Sequence, residues 1–508
     1  MQESTSAQVV GRELSSIDAE ALGRQRPAAF STIWHELGFA ISLLGSMAMS
    51  EFFISGFHIV LPLLAVELDM SPAAQTWPSS VFTLTAATFL LPLGRLTDMY
   101  GAYVVFNSGL VWVCIWCLAS GFSQSCITLI VCRAMTGVGA AAFLPAGITL
   151  IGKIYRPGPR KNLIFAVYGA FAPLGFFLGI LLGGVTGQLL SWRWYFWIGA
   201  MMLAVICAAG IVSIPRDFRT RAPDGLTMDW LGAVTIAPGL ILLVYGITDS
   251  SQAPQGWASP QIIAAVVTSA CFLAVAVYIE GWVATNPLVP SDLFSPTYMK
   301  RLVVGLFFAY GAFGIFLFYS SFYLELVLEK SPLQTAVWYI PMIISGLVLG
   351  AVGGMTLHLL PGRTLLLLSG TGFVVACLLF SLMPAGPNYW AWIMPAMIAS
   401  SIGIDITFTV SNVFITNNLP GRRQGLAGAL INSTLFLGIS VFLGLANVAV
   451  ANTSDLPLRK NYQVAFWLGV GVSGVAMSVF AFIDLGQAKS ELTVEERERM
   501  EQGAHQGA

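Results

Sequence analysis

The sequence is short of charge. Of 508 residues only 24 are Lys or Arg and 25 are Asp or Glu, 10% in all, with a formal net charge of −1. Soluble domains carry roughly a quarter charged residues, and a water-facing surface must be covered with polar groups, so a soluble enzyme is excluded. Near-neutrality also argues against nucleic acid as a partner, because neutralising phosphates needs a basic excess. Cysteine is sparse and odd in number. Cys114, Cys117, Cys126, Cys132, Cys207, Cys271 and Cys377 lie in or beside apolar runs, which argues against a disulfide framework. Cys114 and Cys117 form a CxxC, but within an apolar helix the pair reads as packing. Four His and scattered acids give no metal-ligand cluster and no hydrolytic constellation. No G-x-x-x-x-G-K-[ST] loop is present, so energy from ATP is disfavoured and no cofactor is expected.

Apolar sequence is what the chain has in excess: 56% hydrophobic residues, 51 Gly and a mean hydropathy of +0.78. Apolar runs of 18 or more residues predict membrane-spanning helices. They fall near 37–66, 76–95, 103–122, 126–152, 162–188 and 192–213, then 228–248 and 259–282. Six more follow near 302–327, 332–354, 363–383, 387–414, 424–451 and 463–484. The expectation is an all-α polytopic membrane protein with about fourteen spans. Its parts are a tail over 1–36, a six-helix bundle over 37–213, a linker with two additional spans over 214–300, a second bundle over 301–484 and a tail over 485–508.

Orientation follows from the positive-inside rule. Lys153, Arg156, Arg160, Lys161, Arg216, Arg219, Arg221, Lys300, Arg301, Arg363, Arg422 and Arg423 fall on one side with the basic residues of both tails; Arg193, Lys330, Arg459 and Lys460 fall on the other. Both termini are therefore expected in the cytoplasm. The first tail is polar and reads as a disordered leader rather than a signal peptide. Asn452-Thr453-Ser454 is a glycosylation sequon in the turn between spans 13 and 14, which this topology places outside.

The chain also repeats. Gly94-Arg-Leu-Thr-Asp98-Met-Tyr-Gly101 after span 2 has a counterpart in Gly354–Arg363 after span 10, and Pro157-Gly158-Pro-Arg160-Lys161 has one in Pro420-Gly421-Arg422-Arg423. The two intervals are nearly equal. Each of these stretches reads as a turn between spans. Parallel repeats of this kind are a transporter architecture with a substrate cavity at the repeat interface.

These stretches resemble the major facilitator superfamily, and the span count resembles its fourteen-helix drug:proton antiporter branch. Gly94, Asp98 and Gly101 match the G-x-L-x-D-x-x-G signature between helices 2 and 3, although Ala102-Tyr103-Val104 stand where basic residues usually follow. Arg133-Ala-Met-Thr-Gly137-Val-Gly139 resembles the R-x-x-x-G-x-G signature that the family associates with proton coupling. Span 5, with Gly169, Pro173, Gly175, Gly179, Gly183 and Gly184, resembles the antiporter motif of exporters, with Ile180 at the usual proline. Trp192-Arg193-Trp194-Tyr195-Phe196 matches the WRW-x-F stretch that commonly follows. The resemblance implies the major facilitator fold and, through the span 5 motif, an exporter like the fungal efflux pumps of the plasma membrane.

The residues themselves point to ionisable groups at depth. Arg133 lies roughly 10 Å inside its helix by the helical rise. A charge there costs about 2.5–3.5 kcal/mol on insertion scales, so it needs a partner in the bundle. Glu51 is central in span 1 and Asp405 in span 12. Both are candidate proton or cation sites with Arg133 modulating one of them. The family's acid in helix 1 falls nearer Phe53, so Glu51 stands on its depth alone. His58, two turns beyond Glu51, is either a relay or a satisfied hydrogen bonder. Phe171, Phe176, Phe177, Phe307, Phe308 and Phe313 could line a greasy pocket or face lipid, and Asn412 and Asn432 could line a cavity or bond a neighbouring backbone. Gly175, Gly179 and Gly183 share one helix face, either for close packing or as the seam on which the halves slide. Trp77, Trp192, Trp194 and Trp390 fit interfacial belts, and Glu325 and Glu329 read as solvated. The expected function is proton-coupled export of amphipathic small molecules. Proton-linked uptake of a nutrient or ion is the alternative, and a receptor that no longer transports is a third reading. Expected partners are a small molecule, protons and the bilayer, with the chain acting as a monomer.

Overall fold

A computed structural model of the chain describes residues 26–27, 29–155, 159–215, 227–356, 360–418 and 421–485. Among the described residues, 14 helices are long and apolar enough to cross a membrane. In hydrocarbon every backbone N–H and C=O must be satisfied within the segment, which is why these apolar runs are helices.

The first bundle comprises α1 (Ile33–Glu67), α2 (Trp77–Tyr100), α3 (Ala102–Gly121), α4 (Cys126–Ile154), α5 (Pro159–Leu189) and α6 (Trp192–Ser213). Then come α7 (Trp230–Asp249) and α8 (Pro260–Tyr278). The second bundle begins with α9 (Met299–Phe322), which closes in a π turn over Tyr323–Val327. Next is α10, in two pieces, Pro332–Trp338 and Ile340–Thr356. The chain continues with α11 (Gly362–Ser381), α12 (Met394–Asn418), α13 (Gly421–Ala451) and α14 (Leu458–Ala481). Polar caps start several helices: Thr32, Ser125, Ser191 and Asp229 each accept a hydrogen bond from a first-turn N–H, satisfying donors that lack a partner in the helix.

The two bundles pack alike. In the first, α1 lies on α5 and α6, α4 on α2 and α3, and α3 on α6; in the second, α9 lies on α13 and α14, α12 on α10 and α11, and α11 on α14. The halves meet where α2 crosses α13 and α5 crosses α10. α7 packs outside the first of these seams, against both α2 and α13, and α8 packs on α7. The inner side chains of that junction are Leu84, Val244 and Val441. Cys114 and Cys117 are free thiols whose Sγ atoms donate to Ala200 O and Phe196 O of α6, a packing role.

Several expectations need correction. Residues Gly94 to Tyr100 are the last turns of α2, not a loop. The chain turns only at Gly101, whose φ of 93° is open to glycine at little cost. Pro157, Gly158, Arg156, Arg216, Arg219, Arg221 and both polar tails beyond Gln25 and Leu485 lie outside the described residues, as do residues 357–359 of the second repeat turn. Arg160, expected simply as a loop cation, clasps Glu36 through Nε and Nη2 at 2.6–3.0 Å, and the Tyr155 hydroxyl donates to the same carboxylate at 3.1 Å. Burial, and then the neighbouring Glu36, hold the Tyr155 phenol above its usual range, so it remains a donor. Trp192 is buried rather than interfacial, its Nε1 donating to Glu67 at 2.6 Å, and Arg193 pairs with the same carboxylate. Trp194 and Trp390 are exposed.

The glycine face of α5 packs within the first bundle. A Cβ on Gly175 would overlap the Ala48 carbonyl, one on Gly179 the Ser55 hydroxyl, and one on Gly183 would come 2.7 Å from the Gly56 oxygen. These three glycines therefore seat α1 on α5 and are not the surface between halves. That surface begins one residue on, at Gly184, where a Cβ would lie 2.6 Å from Ala336 Cβ and 3.0 Å from Pro332 O of α10. Gly175→Ala should destabilise the protein by about 1–3 kcal/mol through overpacking. Gly169→Ala, on the same helix with nothing within 4 Å, should leave stability unchanged or slightly higher. Thermal denaturation of the detergent-solubilised pair, followed by size-exclusion chromatography, measures the difference.

Candidate functional site: an acidic pair between the halves

The middle of α1 is packed on nearly every side, with Ser50 and Phe52 each 1% exposed. Glu51 between them is half-buried. Tyr168 of α5 is buried within electrostatic reach of Glu51. Asp405 of α12, from the other half, is also within electrostatic reach of Glu51. Ser401, one turn earlier on α12, donates to Asp405 Oδ2 at 2.6 Å. Gly346 of α10 leaves room for that carboxyl, since a Cβ there would come 3.0 Å from Oδ2. Among the described residues neither acid has an ion-pair partner. The two carboxyls predicted from depth alone are thus brought together across the interface.

Arg133 is held elsewhere. It is 1% exposed, and its Nε donates to Pro78 O and its Nη2 to Phe53 O, both at 3.1 Å. Its guanidinium lies 4.0 Å from the Phe57 ring centroid and 4.6 Å from that of Phe82. Two carbonyls and two π faces stand in for the carboxylate that the sequence led us to expect. Gly137, one turn further along α4, lies against Phe82 O and the Thr85 hydroxyl, so α2 and α4 meet closely there. Arg133 ties α1, α2 and α4 together and does not reach the acidic pair.

The other candidates separate clearly. His58 is buried with both ring nitrogens bonded, Nδ1 to Ile54 O at 2.6 Å and Nε2 to the Ser79 hydroxyl at 2.8 Å. It links α1 to α2 and meets Phe318 of α9 edge-on. Asn412 and Asn432 donate to the carbonyls one turn back in their own helices, Phe408 O and Gly428 O. Phe307 and Phe308 pack around Phe442, and Phe313 is buried against Phe373. Phe171, Pro173, Phe176 and Phe177 are half-buried on α5. Asp98 is exposed at the end of α2, in the field of Lys153 and Arg95, and Gly94 packs on Pro145. Asn452 is exposed in the turn after α13.

Two residues of the site escaped the sequence reading. Tyr168 lies seven residues before Gly175, hence on the glycine face of α5, a periodicity that could have placed it. Ser401 precedes Asp405 by one turn on a shared face, a signal of the same kind. Glu325, read as solvated, is buried instead.

The halves are closed on the face away from the termini. Gln188 Oε1 accepts from Leu333 N at 3.3 Å, the Thr83 and Ser440 hydroxyls bond at 2.7 Å, and Asn447 Nδ2 donates to Ala73 O at 3.0 Å. Ser433 donates to Ala87 O at 2.6 Å near mid-depth.

Two related six-helix bundles with acids set at their interface have the architecture of a transporter. The family model described as Major Facilitator Superfamily matches residues 43–444, and the chain belongs to that family. It is 32% identical to a low affinity ammonium transporter of Saccharomyces cerevisiae, over 94% of this chain and 93% of that protein. It is 31% identical to the aminotriazole resistance protein of the same yeast, over 90% and 85%. It is 29% identical to the efflux pump terJ of Aspergillus terreus, over 91% and 90%. Among solved structures, an auto inhibited POT family peptide transporter superposes with a TM-score of 0.65 at 14% identity, over 90% of this chain and 99% of that one, a likeness of fold.

If Arg133 acts by bridging helices, Arg133→Lys should not substitute for it, because one ammonium cannot reach both carbonyls in the same geometry. The variant should lose stability by about 1–3 kcal/mol and transport with it. Thermal denaturation and flux of the two proteins at matched expression would measure this, and full retention by Lys would show that charge alone suffices.

Proposed function

We propose that the protein is a proton-coupled secondary transporter that exports small molecules by alternating access between its two halves. The observation that carries this reading is the pairing of Glu51 with Asp405 across the interface, within each other's field and without an ion-pair partner among the described residues. Two negative charges in one dehydrated site repel, so binding a proton or another cation there is favourable. Because the pair is split between halves, each opening changes how strongly such a cation is held. A proton crossing with the gradient supplies about 2.3 kcal/mol per 100 mV, enough to drive cargo the other way. Arg133 in this scheme fixes the first bundle as a rigid body. Export is supported by the Gly175, Gly179 and Gly183 motif and by relatives named as an efflux pump and a resistance protein. The proposed location is the plasma membrane, with both termini cytoplasmic and Asn452 glycosylated on the far face.

A second reading has its own support. The relative named as an ammonium transporter covers nearly all of the chain, and a site that offers two carboxyls without a fixed cation suits a small protonated amine. Uptake of such cations is then the activity.

Cellular accumulation of labelled methylammonium and of a drug panel in a host lacking its own pumps separates the readings. Export predicts lower accumulation than in empty cells, abolished by a protonophore and reduced about tenfold in effect by Glu51→Gln or Asp405→Asn. Uptake predicts higher accumulation of methylammonium. Unchanged proton-dependent transport in both variants would remove the acidic pair from the mechanism. A glycosidase-sensitive shift in mobility, lost in Asn452→Gln, would place the far face outside the cell.

A further inference from the structure

The π turn Tyr323–Val327 ends α9 at the far face. Tyr323, Leu324 and Glu325 are buried within that turn. Glu325 is buried, and its Oε1 has no hydrogen-bond partner among the described residues. Opposite it, α10 breaks at Tyr339. The Tyr339 hydroxyl bonds Ser320 of α9 at 2.5 Å and lies within electrostatic reach of Glu325. One turn out from Tyr339 is Thr335, whose buried Oγ1 also lacks a partner. The same short piece of α10, through Pro332, Leu333 and Ala336, is what closes on Gly184 of α5. A buried acid thus sits directly behind the far-face closure, attached to the element that makes it.

We propose that Glu325 is a second coupling residue, a carboxyl that takes a proton from water at the far face and whose charge decides whether the α5–α10 closure can form. An unpaired carboxylate is not tolerated when the closure buries it. With the proton on Oε, the closure is compatible; with the proton returned to water, the far face opens and the carboxylate is hydrated. The elements packed on this turn carry few other ionisable groups. They are Tyr323, Glu329 and Lys330 at the end of α9, Tyr339 on α10, and Arg459, Lys460 and Tyr462 on α14. Arg459 lies in the field of Tyr323, Lys330 stacks on Trp338, and Glu329 is exposed. None of them is a counter-ion to Glu325 among the described residues. The role in gating stands apart from the Glu51–Asp405 pair, and only its consequence for driven transport rests on the proton-coupled reading.

The test uses the full chain in intact cells, with Leu333→Cys as a reporter of the closure and the parent protein as background for its native thiols. An impermeant maleimide added at the far face should label Leu333→Cys about tenfold faster near pH 8 than near pH 5.5, once corrected for the pH dependence of thiol reactivity on a free exposed cysteine. With Glu325→Gln added, labelling should stay slow at both values; with Glu325→Asp, the pH response should persist. Leu333→Cys with Glu51→Gln should also retain the response, so loss of transport in that variant would bear on the acidic pair alone. The same pH profile with Glu325→Gln as with Glu325, or no profile in the unaltered background, would overturn the proposal. Matched surface expression of each variant excludes misfolding as the cause of slow labelling.

Discussion

A charge at the depth of hydrocarbon persists only where the protein supplies something to meet it, and this chain meets its buried charges in different ways. Arg133 is met by two carbonyls and two aromatic rings from α1 and α2. None of those groups can ionise, so the arrangement is permanent. Glu36 is met by Arg160 and Tyr155, again within one half. Glu51 and Asp405 lie in each other's field from opposite halves, with no cationic partner among the described residues and Ser401 donating to Asp405. The first two solutions build rigid bodies. On the proposed reading, the third would make cation occupancy of the site depend on the position of the halves, as coupling requires.

The contacts between helices follow the same division. Within the first half, α1 and α5 approach through Gly56, Gly175, Gly179 and Gly183 until backbone touches backbone; close packing of this sort is the main adhesive available in lipid. Between halves, beside the apolar contacts of Leu84 with Val441 and of Gly184 with Ala336, the polar contacts are hydroxyls and amides: Thr83 with Ser440, Ser433 with Ala87, and Gln188 with Leu333. Each is worth on the order of 1 kcal/mol or less, so a set of them can be broken and remade. The two additional helices reinforce one seam only. Asn447 of α13 bonds both Ala73 before α2 and Ser251 after α7, and Thr227 before α7 accepts from Arg95 of α2. The α2–α13 seam is thus bridged at the far face through Asn447, and α7 is tied to α2 at the other face. The α5–α10 seam has no such brace among the described residues, and its short α10 piece packs against the turn that carries Glu325.

Much of this was legible in the chain. Fourteen spans follow from apolar run length, and the twofold organisation from the spacing of Gly94, Gly354, Pro157 and Pro420. Glu51 and Asp405 were visible because an acid flanked by apolar turns has no innocent place to go. What was hidden depended on geometry finer than the helical period. The Gly175 face was legible as a close-packing face, but which helix it met was not, and one residue separates Gly183, facing α1, from Gly184, facing α10. Arg133 was expected to find a carboxylate because charge complementarity is the only partner rule that sequence offers; carbonyls carry no sequence signal. Glu325 was misplaced because a position at the outer end of a span was taken to be solvated, whereas the turn there packs against α10 and α14. The signature ending at Gly101 was read as a turn because it lies between two spans and resembles a loop signature, yet residues 94–100 keep helical hydrogen bonding until a glycine with positive φ stops it.

The chemistry of the acidic pair also bears on why relatives carry such different names. A site formed by two carboxyls recognises positive charge before it recognises shape, and a proton, an ammonium ion and a protonated organic amine all satisfy it. They compete, because one monovalent cation removes most of the repulsion that favours binding. Where proton and cargo cation exclude each other, inward movement of the first drives outward movement of the second. Where the cargo is itself the small cation and outnumbers protons at the site, the membrane potential alone draws it inward. On the proposed reading, export and ammonium uptake by this chain would use the same two acids, Glu51 and Asp405. Cargo size would then be set by other side chains, for which the half-buried Phe171, Phe176 and Phe177 of α5 are the proposed candidates.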